Sequence, residues 1–242
     1  MIVEFTGCSG AGKSTLCGAT CEQMQAQGIA VRTPLQAVLG VRLARLVASE
    51  RVGNIVLDVV ALPWFLWDRR RHREFYRFAS ATIRGEVGGP LARTLLLRSV
   101  VRKLGLHSLF SRRKWRDTLI VVDEGSVHSA HVIFVNGIGE PNEQQIASFC
   151  SLVPRPELLV HVRADVDVLL ERTLSRPDKP IRAKDERQLV DFITRAAHTF
   201  DRIFATGFMA AESLRIDTGG ADETIAIESI STVANFVRDA AA

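Results

Sequence analysis

Cysteine is scarce, with four residues in 242 at positions 8, 17, 21 and 150. Their irregular spacing and the lack of a CxxC pair exclude a disulfide framework and give no structural zinc motif. Long apolar runs are also missing. The most apolar stretch, 55–67, is interrupted by Asp58 and Pro63 and falls short of the roughly 20 residues that a spanning helix needs. The start MIVEFTG has neither a basic opening nor a small-residue cleavage site. A secretory signal is therefore not expected, and a reduced, cytoplasmic chain is. What is present, 47% hydrophobic and 24% charged residues, suffices for a buried core and excludes disorder and collagen-like structure. One domain over 1–242 is expected.

The formal net charge of +4 hides an uneven distribution, because 69–116 carries 14 Lys or Arg against Glu74 and Glu86. That block can attract phosphates, nucleic acid or an anionic membrane. It can equally be a solvated helical face whose arginines pair with acids elsewhere.

Along the chain, 2–6 reads as a buried strand, 13–27 as a helix closed by Gly28, and 29–33 as a second strand stopped at Pro34. Residues 35–117 have apolar side chains at helical spacing, with breaks at Gly53, Pro63, Gly88-Gly89-Pro90 and Gly105, and read as a helical insert. The run 118–122 is apolar throughout, as in a parallel sheet, and 158–162 is another such strand. Helices are expected over 166–174 and 186–205, a short strand over 214–216 and a closing helix over 223–240. This alternation predicts a parallel α/β sheet with both faces covered.

Gly7-Cys8-Ser9-Gly10-Ala11-Gly12-Lys13-Ser14, with Thr15 following, fits G-x-x-x-x-G-K-[ST] without a mismatch, after a strand and at the start of a helix. In that context backbone N–H groups and the helix N-terminus point at phosphate oxygens. Lys13, on a surface loop, would neutralise the β- and γ-phosphates, and the Ser14 hydroxyl would ligate magnesium. Cys8, Cys17 and Cys21 read as small packed side chains rather than metal ligands, since ligation by Cys8 would disturb the loop.

Asp123 ends the 118–122 strand, a position from which a carboxylate holds magnesium through water. Glu124 either takes a proton from an acceptor hydroxyl or is a solvated neighbour. Arg172, Arg176 and Arg182 lie in ERTLSRPDKPIR. The first two, four apart on a helix, can converge on one anion as a lid over about 172–186 closes. Their plainer reading is an exposed helix end complementing its dipole. Asp217, in IDTGG, would lie near the nucleotide base, and the absence of NKxD argues against a GTPase. His128 and His131 read as satisfied or solvated histidines.

On these motifs the chain resembles P-loop kinases, most nearly the thymidylate kinase and deoxynucleoside kinase branch of the nucleoside monophosphate kinase superfamily. The resemblance covers 1–33, 118–182 and 213–240. It implies a three-layer P-loop NTPase fold with a five-stranded parallel sheet in the order 2-3-1-4-5, helices on both faces, and the insert as acceptor site. It also implies magnesium-dependent transfer of the ATP γ-phosphate. Two departures bear on the acceptor. Thymidylate kinases carry Asp-Arg where this chain has Asp123-Glu124, and deoxynucleoside kinases carry Glu-Arg-Ser there and an acid after the second strand, where Thr33-Pro34-Leu35-Gln36 has none. With no arginine after Asp123 to hold an anionic acceptor, Arg69 and Arg73, sharing a helical face, are the expected substitutes. The expected function is phosphoryl transfer to a small, anionic or hydroxylated acceptor. The competing reading is a nucleotide-dependent protein whose basic insert contacts nucleic acid or anionic membrane, and a homodimer stays open.

Overall fold

The computed structural model describes residues 1–47, 49–115, 117–137, 139–175, 186–219 and 223–241. Five strands, β1 (Ile2–Thr6), β2 (Val31–Arg32), β3 (Leu119–Asp123), β4 (Leu158–Arg163) and β5 (Ser213–Asp217), form one sheet in the order β2-β3-β1-β4-β5. All four pairings are parallel. Every residue of the central β1 is buried, which explains why that strand shows no alternation. The register pairs Phe5 with Asp123 and Thr6 with His161, so three strands end side by side. In parallel α/β sheets such carboxyl ends are where sites form.

The helices are α1 (Lys13–Ala26), α2 (Pro34–Leu39), α3 (Val41–Leu46), α4 (Glu50–Trp67), α5 (Arg73–Glu86), α6 (Pro90–Phe110), α7 (Glu143–Leu152), α8 (Val166–Leu174), α9 (Glu186–Ala205) and α10 (Glu223–Ala241). Two apolar clusters cover the sheet. Val3, Phe5, Val121 and Val160 belong to the larger one. Ile2, Ile120 and Val122, one residue out of phase and hence on the opposite face, pack with Ala61, Leu106 and Phe110 of the insert. No helix among the described residues is long and apolar enough to cross a membrane.

The insert departs from expectation in where it breaks. Gly53 and Pro63 lie inside α4 and Gly105 inside α6; of the expected breaks only the Gly88-Gly89-Pro90 turn holds. Gly105 is a packing device, since a Cβ there would fall 2.1 Å from the Ala61 carbonyl oxygen. Glycine thus lets α6 press against the α4 backbone. The turn 68–72, with no glycine or proline, separates α4 from α5. Its His72 is buried, the Nε2 atom 2.5 Å from Ser108 Oγ. β2 is shorter than expected, and α7, with its Asn142 capping box, fills a stretch for which no element was expected.

Candidate functional site

The loop between β1 and α1 owes its path to backbone crowding. Gly7 (φ +142) and Gly10 (φ +85) adopt conformations that L side chains rarely enter, and a Cβ would lie 2.0 Å from Val162 O and 2.7 Å from Leu169 O respectively. Gly12 (φ +80) has open space and caps α1 with no side-chain hydrogen bond to the first turn, so those N–H groups are available to an anion. Lys13 is not on the surface as expected. Its side chain is only 7% exposed, and Nζ donates to Cys8 O at 2.8 Å and lies 3.9 Å from Glu124 Oε1. Cys8, Gly10 and Ala11 are buried, Ser9 is half-buried, and Ser14 and Thr15 are exposed. Burial pushes the Cys8 thiol up to about 12, which makes it a neutral packing group.

Ser14 Oγ donates to Asp123 Oδ2 at 2.5 Å, joining the loop to the end of β3. The other carboxylate oxygen, Asp123 Oδ1, is buried without a hydrogen-bond partner among the described residues. Burial raises the Asp123 pKa, opposed first by the Ser14 hydroxyl. An orphaned carboxylate oxygen beside a hydroxyl suits a hard cation. No group of three or more His, Cys, Asp or Glu among the described residues could hold a metal. A cation here would therefore use Ser14 and Asp123 and complete its shell with water and phosphate oxygens.

Glu124 is held in the left-handed region at φ +68, a conformation that costs a non-glycine residue about 1 kcal/mol or more and tends to occur at functional sites. Its carbonyl accepts a hydrogen bond from Lys103 Nζ. Its half-exposed carboxylate lies 3.4 Å from His128 Nε2. The charges of His128, Lys103 and Lys13 hold that carboxyl well below its usual range. Burial pushes His128 and Lys103 down in turn, and Glu124, held low, is ionised at neutral pH. Beneath the turn, buried Glu4 accepts from Ser126 Oγ, Val127 N and, at 2.7 Å, His128 N. Desolvation raises it to about 7. His128 stacks on His131 at 5.2 Å between centroids.

A cavity of about 500 Å³ opens beside this cluster, between the end of β3 and helices α4 and α6. Ser14, Asp123 and Glu124 stand at one side; Glu50, Asn54, Arg102 and Lys103 stand at the other. Arg69 and Arg73 are exposed and do not line it. The shared-face expectation fails because α4 ends at Trp67 and Arg69 belongs to the turn before α5. Arg102, Lys103 and Glu4 were missed. Each carries a legible signal, a charged residue set inside an apolar run, in IVEFT and in VVRKLGL.

Arg172 does not point freely at the loop centre. It donates to Thr218 O at 2.8 Å and to Thr218 Oγ1 at 3.3 Å, while Thr218 Oγ1 donates to Ala11 O at 2.8 Å. The arginine thus ties the β5 end to the glycine-rich loop. Asp217 Oδ1 accepts from Gly219 N at 2.9 Å, and its other oxygen is 3.6 Å from Arg163. Arg176, Arg182 and most of the expected lid, 172–186, lie outside the described residues. No protein-family model matches the chain, and no curated protein matches it.

Proposed function

We propose that this chain is a P-loop phosphotransferase that moves the γ-phosphate of ATP to a hydroxyl of a small acceptor held between β3, α4 and α6. The observation that carries this reading is the Ser14–Asp123 contact at 2.5 Å. It joins residues 109 apart in sequence, beside a buried lysine and at the wall of a cavity. Lys13 exchanges its bond to the Cys8 carbonyl for phosphate oxygens, and the loop N–H groups cradle the rest. Ser14 and Asp123 would hold magnesium, which supplies neutralisation of charge on the β- and γ-phosphate oxygens. Glu124, ionised and fixed by its backbone, accepts the hydrogen bond of the acceptor hydroxyl and orients it. A loose phosphoryl-transfer transition state needs positioning more than a strong base. The Arg172 bonds to Thr218 favour a part at the nucleotide's edge over one on the transferred group.

The cavity also bears on the acceptor. Glu4, Glu50, Asp123 and Glu124 line it, against Arg102, which is 3.8 Å from Asp58, and Lys103, which is committed to the Glu124 carbonyl. With Glu4 held by three hydrogen bonds and raised to about 7, Glu50 and Glu124 face a paired Arg102 and Lys103, a near-even balance that favours an uncharged hydroxylated acceptor. The test is ADP production from ATP and magnesium across nucleosides, sugars and amino alcohols, with Lys13→Ala as control. Acceptor-dependent ADP that disappears in the control is expected. No acceptor-dependent ADP from a folded chain, or equal turnover in the control, overturns the reading.

A further inference from the structure

The outer face of α4 is apolar and faces water. Val52, Ile55, Val59, Leu62, Leu66 and Trp67 are each 48–75% exposed. The first five follow a 3-4-3-4 spacing, which sets them in one stripe down a helix about 27 Å long. The stripe continues onto α6, whose Leu95 lines a shallow groove together with Ile55. Single exposed apolar side chains are ordinary on a monomer, whereas five in one contiguous stripe mark an interaction.

Charge decides between partners. Arg51 stands at one end of the stripe, Arg69, Arg70 and Arg71 follow Trp67 at the other, and Arg98 flanks it on α6. All are exposed. Arg51, Arg69 and Arg70 make no ion pair among the described residues. Of the three acids in 50–73, Asp58 is taken up by Arg98 and Arg102 and Asp68 by Arg112. Glu50 lines the cavity. Exposed Glu50 and Glu74 answer only part of this charge, so a second copy laid along the stripe would still bring a net excess of arginine together. An anionic lipid surface answers the unpaired Arg51, Arg69 and Arg70 while its acyl boundary takes the apolar side chains, with tryptophan at the headgroup level.

We infer that the α4–α6 face seats this protein on an anionic membrane surface, with α4 lying in the plane of the interface. This inference does not depend on the proposed phosphotransfer, since its readout is lipid binding alone. The experiment is co-sedimentation of the full chain with vesicles of phosphatidylcholine, with or without an equal part of phosphatidylglycerol. Binding is expected only to the anionic vesicles and should weaken with added salt. It should fall about fivefold in each of Arg69→Gln and Arg70→Gln, and at least tenfold in Leu62→Glu/Leu66→Glu. Trp67→Ala, at the exposed helix end, gives a second apolar variant should the double variant fail to fold. No binding by the folded wild type, or binding indifferent to phosphatidylglycerol or to the apolar variants, overturns the inference. So does a dimer in sedimentation equilibrium that the apolar variants dissolve while vesicles go unbound.

Discussion

Gly7 and Gly105 each stand where a Cβ would fall on a carbonyl oxygen, 2.0 Å from Val162 and 2.1 Å from Ala61, yet they hold different regions together. Gly7 is conformationally obliged to be glycine as well, and its neighbours are strand backbone, so the loop is fixed against the sheet. Gly105 has ordinary helical torsions. It sets one distance, the spacing of α4 and α6, and with it the width of the cavity. The site therefore joins a rigid half, fixed by the sheet, to a half whose dimension rests on a single helix–helix contact.

The largest expected effect breaks the rigid half chemically. Lys13→Ala should cut acceptor-dependent ADP formation about a thousandfold while circular dichroism stays unchanged. Next come the two glycines. Gly7→Ala and Gly105→Ala should each lower stability by about 3 kcal/mol through overpacking, read by urea denaturation. Only Gly7→Ala should also abolish nucleotide binding in mild conditions. Equal loss of nucleotide binding in Gly105→Ala would show that the halves are one cooperative unit. Asp123→Asn should then cut turnover about a hundredfold and flatten its magnesium dependence, with metal-free nucleotide binding little changed.

The two halves also differ in how legible they were. The glycine-rich loop, Asp123 and the sheet strands could be read because their residue types are dictated locally: a positive φ demands glycine, and a strand buried on both faces is apolar throughout. Helix α8 was read to the residue. The insert resisted because tertiary packing overrides local signals. Gly53 and Gly105 look like breakers but lie inside helices, Gly105 serving close approach to Ala61, and the true break at 68–72 has neither glycine nor proline. The arginine face failed for the same reason, since a shared helical face requires a continuous helix. Glu4 went unread because its role, holding the turn after β3 by three hydrogen bonds, joins segments over 120 residues apart.

Acidity offers a finer comparison. Burial lowers His107, beside the cavity, and His161, in β4, each to about 3, from 6.5. His72, His128 and His131 shift the same way. A histidine whose folded pKa is depressed gives stability that is present above 6.5 and lost as pH falls through that value toward the folded pKa. Glu4, raised from 4.5 to about 7, acts oppositely, favouring the fold as pH falls from 7 to 4.5. The histidines outnumber it, so net stability should decline below pH 6.5, at about 1.4 kcal/mol per pH unit for each uncompensated group. His107→Gln should remove part of the insert's share of that slope, His72 keeping the rest, and His161→Gln the sheet's, measured as melting temperature against pH. Glu4→Gln should steepen it.

The smallest expected effect tests where the positive charge of the insert acts. Arg69 and Arg73 are exposed and away from the cavity, whereas Arg102 lines it, 3.8 Å from Asp58 Oδ1. Arg69→Gln/Arg73→Gln should leave the KM of a soluble acceptor within about twofold of wild type, because exposed charges that do not line the cavity are screened by solvent and salt. Arg102→Gln should change that KM several-fold, downward for a cationic acceptor as the carboxylates gain weight and upward for an anionic one, with the ATP KM unchanged. The sign of the Arg102 effect therefore reports the charge of the acceptor. A change in acceptor KM from the Arg69/Arg73 pair instead would return the acceptor to the far end of the insert and separate it from the cavity.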